Sequence, residues 1–136
     1  ISAALKMISD MERIGDQASD IADMVPYIRF SEAKSKVHIE AMAKATVKMV
    51  TDSVDAFVQD DLDLAQRVID SDDEVDDLFN RVKNELIDLI YAKDIDAKVA
   101  LDLLMTAKYY ERIGDHAVNI AERVVYSITG VHKSNE

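Results

Sequence analysis

Apolar side chains return at three- and four-residue intervals along almost the whole chain, which is the spacing of helices with one buried face. Residues Ser2 to Val25 read as one such helix. Ile14, Ala18, Ile21, Ala22 and Val25 gather on one side of it, while Glu12, Asp16, Asp20 and Asp23 form a stripe on another. Pro26 is expected to end or kink it, because the residue before a proline is pushed away from helical geometry. Ser31 is a candidate N-cap, and a second helix from about Glu32 to Gln59 follows from Val37, Met42, Ala45, Met49, Val50, Val54 and Phe57. Asp60 and Asp61 predict a break and a cap, since their short carboxylates favour local backbone bonds. Leu62 to Ile69 forms a short helix. Ser71 or Asp72 opens a further one to about Ala92, with Val75, Leu78, Phe79, Val82, Leu86, Leu89 and Ile90 on its core side and Asp73, Asp77, Asn80, Asn84 and Asp88 opposite. Lys93 and Asp94 make a turn, and a last helix from Asp96 to about Thr129 is stopped by Gly130.

One segment occurs twice. Glu12 to Asp23 returns as Glu111 to Glu122, 99 residues later, with eight of twelve positions identical and no gap. Such agreement indicates an internal duplication. In each copy the acidic row runs back into apolar positions: Ile8, Leu5 and Ile1 in the first, Ala107, Leu104 and Leu101 in the second, with Lys108 at its edge. Carboxylates that extend a buried row need cations or donors to offset their desolvation. Each copy also carries a mid-helix glycine, Gly15 and Gly114, at a cost of about 1 kcal/mol relative to alanine. Loose packing or a close neighbour would each account for that.

Glu or Asp four residues before a second Asp puts two carboxylates on one helix face. Asp73 with Asp77, and Glu111 with Asp115, are therefore the candidate site, because antiparallel neighbours would bring the pairs together. All-oxygen donors suit Mg, Mn, Fe or Ca better than soft ions. The competing reading is a solvated acidic face, with Arg13 and Arg112 forming surface ion pairs to Asp16 and Asp115.

The duplicated segment, with Ile14-Gly15-Asp16 at its centre, resembles the signature helix of the PhoU family, bacterial phosphate-signalling proteins built from two three-helix repeats. The resemblance implies an all-α, antiparallel three-helix bundle over residues 31–136, with residues 1–30 as the last helix of an incomplete first repeat. It implies metal at the E/D-x-x-x-D motifs, as multinuclear iron or zinc clusters. Carried over residue by residue, Asp73 to Asp77, Glu111 to Asp115 and Glu12 to Asp16 fit that motif. Asp20 lies one turn on from the last, and Asn119 stands at the matching place in the second copy. It further implies a cytoplasmic regulator that restrains a phosphate ABC transporter through its ATPase subunit and reports to a membrane sensor histidine kinase.

Composition narrows the rest. A formal charge of −11 disfavours binding nucleic acid or adsorbing to anionic lipid. Without cysteine there is no disulfide and no thiolate site. No apolar run approaches the roughly 20 residues of a membrane span, so no direct membrane insertion is expected. No nucleophile-base arrangement, E-x-x-H pair or phosphate loop is present in the sequence, and no catalytic residue is assigned. His116 lies off the acidic line and reads as a surface or packing residue. The chain starts inside an apparent helix without Met, as a fragment would. A lone helix from a lost repeat must bury its apolar face, on the bundle or on a second chain, so a homodimer is expected. Two other readings stay open: a carboxylate-bridged metalloenzyme or phosphatase, and a PhoU-like domain of a larger phosphate transporter.

Overall fold

The structure, a computed structural model, describes the backbone of residues 2–28 and 37–130 and the side chains of 5–23 and 37–130. It is all-α: α1 (Ser2–Ile28), α2 (Ile39–Gln59), α3 (Leu62–Asp70), α4 (Asp72–Tyr91) and α5 (Ala97–Thr129). Among the described residues there is no strand.

The breaks fall where local chemistry puts them. Asp60 takes the left-handed conformation at φ 51° and ends α2, and Asp61 then accepts a bond from the Leu64 N–H to start α3. Ser71 stands at the start of α4, yet its hydroxyl turns back to the Arg67 carbonyl and caps nothing ahead of it. Lys93 makes the turn after α4 at φ 54°, and Asp96 caps α5 through the Lys98 N–H. Gly130 closes α5 at φ 74°, a conformation open to glycine without a Cβ clash. Pro26 does not end α1. Its missing N–H removes one backbone bond, but α1 continues two residues further, to Ile28. The expected Ser31 cap and the start of α2 at Glu32 lie outside the described residues, as does His132. Within them α2 begins at Ile39, with His38 as its cap residue.

Helix α4 runs antiparallel to α2 and α5, and α3 packs on α2 and α5. Their core is continuous: Met42, Leu103, Val68, Val75, Val82 and Val124 are almost fully buried. Burial of each such side chain contributes roughly 1.5–3 kcal/mol. Buried hydroxyls are satisfied inside their own helices, Thr46 by the Met42 carbonyl and Ser53 by that of Val50. Ile90 does not join the core. It is 54% exposed, and with Ile87, Leu101 and Leu104 it lines an apolar groove of about 390 Å³.

Helix α1 lies antiparallel against α5. Its fastening point is Asp10, 3% exposed, whose carboxylate accepts from Arg123 Nη1 at 2.9 Å and Asn119 Nδ2 at 3.5 Å. His116 Nδ1 lies 3.1 Å from the same group. His116 is thus a packing residue with a specific partner. Among the described residues, no helix is long and apolar enough to cross a membrane.

Candidate functional site

The site follows from one helix contact. A Cβ on Gly114 would lie 3.6 Å from Val75 Cγ1 and 3.7 Å from Met49 Sδ, ordinary contact distances, so this face of α5 packs directly on α4 and α2. Measured from Val75 at about 100° per residue, Asp72 and Asp76 stand at roughly +60° and +100° around α4. Measured from Gly114, Glu111 and Asp115 stand at the same angles around α5. Equal rotations on antiparallel helices fall on one side of their interface. The two carboxylate pairs therefore flank the same seam.

Electrostatics report that proximity. Burial, then the charges of Asp76, Asp115, Asp73 and Glu111, push Asp72 from the usual 3.8 up to about 6. Asp76 is raised by burial, followed by Glu111 and its own neighbours on α4. Asp115 is raised by burial, Glu111 and Asp76, against smaller lowering by His116 and Lys108. Asp72 Oδ1 is buried without a hydrogen-bond partner, an acceptor prepared for a cation or a donor. Lys108 supplies an ammonium beside the seam. Its Nζ lies 2.5 Å from Glu111 Oε1 and 5.2 Å from the centre of the Phe79 ring.

The structure does not bring every residue drawn from the motif to this seam. Asp73 and Asp77 stand about 160° from Val75, on either side of the far face of α4, and both are exposed. Their places at the seam belong to Asp72 and Asp76, an i, i+4 pair one residue earlier. The burial of Val75 between them was the signal in the sequence that separates the two registers. Glu111, partly buried, and Asp115, exposed, flank the seam. Asn119 is not, because its amide is turned to Asp10. Glu12, Asp16 and Asp20 are exposed along α1, and no α4-like helix faces them among the described residues. The expected surface pair between Arg112 and Asp115 gives way to a stack, the guanidinium lying 5.8 Å from the Tyr109 ring.

As a donor set, four carboxylates with one unpartnered buried oxygen fit a hard divalent cation. As a cage they are not closed: among the described residues, no three acidic or histidine side chains converge closely enough to hold an ion together. Fold and seam define a helical bundle with one acidic edge.

A sequence model of the PhoU domain matches residues 39–124, and the chain belongs to the PhoU family. That family comprises regulatory accessory proteins and not enzymes. The chain is 36% identical over 131 residues to a phosphate-specific transport system accessory protein PhoU homolog of Clostridium acetobutylicum, covering 96% of this chain and 60% of that protein. It is 35% identical over 132 residues to PhoU homolog 1 of Thermotoga maritima, covering 96% and 57%. The crystal structure of PhoU from Pseudomonas aeruginosa superposes with a TM-score of 0.89 at 32% identity, over 95% of this chain and 63% of that one. That of the phosphate transport system regulatory protein PhoU from Streptococcus pneumoniae gives 0.82 at 26% identity, over 96% and 62%. The chain thus spans about three fifths of the length of these relatives.

Proposed function

We propose that this chain regulates phosphate uptake and phosphate-responsive signalling, restraining transport by binding and without turnover. The observation that carries the reading is its similarity, over 96% of its length, to proteins named as accessories of the phosphate-specific transport system. Its partners are the transporter's ATPase subunit and a membrane sensor histidine kinase, met from the cytoplasmic side. Helix α1 is the last helix of a first repeat, and its exposed Leu5, Ile8 and Met11 are covered by further helices or by a second copy in a homodimer.

Asp72, Asp76, Glu111 and Asp115 hold a divalent metal ion, whose charge relieves the repulsion between them. Mg, Mn, Ca, Fe and Zn are all compatible in charge, and the all-oxygen donors favour the harder of these.

Two measurements test this. Calorimetric titration against the purified ATPase subunit and against the cytoplasmic part of the kinase is expected to give saturable binding to each. Absence of both overturns the regulator reading. Elemental analysis of protein purified without chelator, beside Glu111→Gln/Asp115→Asn, is expected to show metal lost in the variant. Equal metal in both overturns the seam as its site.

A further inference from the structure

We propose that the apolar groove between α4 and α5 is a docking surface for a helix of a partner protein, one whose docking face is apolar at one end and basic at the other. The proposal rests on the reading that this chain acts by binding other proteins, and adds where a partner sits and what chemistry it carries.

Ile87 and Ile90 form one wall of the groove and Leu101 and Leu104 the other. Ile90 and Leu101 are more than half exposed, and contiguous side chains of that kind are stabilised by an apolar partner. The groove and the acidic seam form one stripe. Measured from Val75, Ile90 and Ile87 stand at roughly +60° and +120° around α4, the sector that holds Asp72 and Asp76. Measured from Gly114, Leu104 and Leu101 stand at roughly +80° and +140° around α5, alongside Glu111 and Asp115. Between the two ends Lys108 lies over the Phe79 ring, which keeps the helices in contact. The acidic end sets the sign of the occupant. Asp72, Asp76 and Asp115 are each raised by burial and then by neighbouring carboxylates, and Asp72 Oδ1 has no hydrogen-bond partner. A guanidinium or ammonium group relieves both conditions. Spacing sets the length. Ile90 comes 14 residues after Asp76 on α4, and Leu101 comes 14 before Asp115 on α5, a rise of about 21 Å in each case. About four turns of a partner helix span that distance and return to nearly the same face. Lys83 and Lys108 stand between the ends, where the partner carries a neutral or acidic residue. A second copy of this chain is a poor fit. Its net charge is −11, and the exposed Leu5, Ile8 and Met11 of α1 run on into Glu12, Asp16 and Asp20.

The probe is a fluorescently labelled, alanine-rich peptide of about 20 residues, with leucines on one face of its first two turns and arginines on the same face of its last two. Its binding to the full chain is read by fluorescence anisotropy with chelator present, so that no divalent ion competes for the acids. Saturable one-to-one binding is expected. Ile90→Glu/Leu101→Glu puts a charge on each wall of the groove and is expected to weaken binding by about tenfold or more. Asp76→Asn/Glu111→Gln is expected to weaken it by about fivefold, the size of two partly screened ion pairs. Asp73→Asn/Asp77→Asn, on the outer face of α4, is expected to leave it unchanged. Peptides with glutamate in place of arginine, or serine in place of leucine, are expected not to bind. Far-ultraviolet circular dichroism checks that each variant is folded, and Leu101→Glu alone repeats the groove test if the double variant unfolds. No binding of the probe, or binding that either the groove or the seam variant leaves unchanged, overturns the surface. A homodimer in light scattering that Ile90→Glu/Leu101→Glu dissociates makes a second copy the occupant and overturns the partner helix. The ATPase subunit and the kinase, if they bind the unaltered chain and the groove variant equally, overturn the groove as their surface and leave the regulator reading standing. Probe binding with neither of those proteins bound overturns that reading and supports the surface alone.

Discussion

The two copies of the duplicated segment share most of their residues and almost none of their surroundings. Gly114 is enclosed by Val75 and Met49, whereas nothing lies within 4 Å of where a Cβ on Gly15 would stand. Ala117 and Ala121 are fully buried, while their counterparts Ala18 and Ala22 are exposed. Ala107 is fully buried and its counterpart Ile8 is 54% exposed. What separates the copies is close packing on α2 and α4, which α5 has; α1 packs on α5 and borders α2 only across an apolar groove. In the second copy Asp115 is raised by burial, Glu111 and Asp76, while the carboxylates of the first copy lie open. Perturbed chemistry here belongs to the interface, with the motif only supplying the groups.

The strongest way to break the comparison is to unfasten the Asp10 joint between α1 and α5. Arg123→Met leaves Asp10 buried with His116 and Asn119 alone, and removing one partner of a buried pair costs about 3 kcal/mol. Because the joint holds α1 and not the bundle, amide exchange is expected to accelerate in α1 while α2, α4 and the middle of α5 keep their protection. Adding Asp10→Asn to that variant is expected to recover part of the loss, since the orphaned charge goes with it. Uniform acceleration through the whole chain would show α1 to be integral to the bundle.

Next in size is the contrast between the glycines. Gly114→Leu forces a side chain into the contact with Val75 and Met49 and is expected to cost about 2 kcal/mol in urea unfolding, the usual range for overpacking. Gly15→Leu meets open space and gains helix propensity, so its effect is expected to stay within about 0.5 kcal/mol of zero or be slightly stabilising. Equal losses at both positions would mean that α1 is covered in solution, as a homodimer would require.

Much of this was readable in advance, for identifiable reasons. The breaks at Asp60-Asp61, Lys93-Asp94 and Gly130 follow from residues whose own backbone or side-chain preferences stop a helix, and local chemistry of that kind survives into the fold. The pairing of Glu111 with Asp115 across from α4 follows from helical period alone. The Asp10 joint was not readable. It links residues 106 and 113 positions apart, and nothing local marks Asp10 as different from its neighbours. The choice between Asp73/Asp77 and Asp72/Asp76 was readable but finely balanced. Both pairs satisfy the same spacing, and a shift of one residue turns a helix by about 100°. Only the orientation of Val75 decides between them.

That one-residue shift supplies the finest test. Asp72 is raised to about 6 in the folded chain against an ordinary 3.8. The folded state therefore holds its proton more tightly than the unfolded one. Stability tied to this group is fully present below about pH 4 and is lost as pH rises through about 6. Asp72→Asn is expected to remove that slope and to stabilise the chain near pH 7.5 by about 1 kcal/mol, after discounting for partial solvent access and for the favourable place of an acid in the first turn of α4. Asp77→Asn, on the outer face, is expected to change stability by less than about 0.5 kcal/mol and to leave the slope between pH 4 and 6 as it was. Paired urea titrations across that range measure both. A saturating divalent cation, by stabilising the charged form of Asp72, is expected to flatten the slope in the unaltered chain and to have a weaker effect in Asp72→Asn. Should Asp77→Asn carry the slope instead, the acids at the seam would be those first drawn from the motif, and α4 would have to sit rotated by one residue against α5.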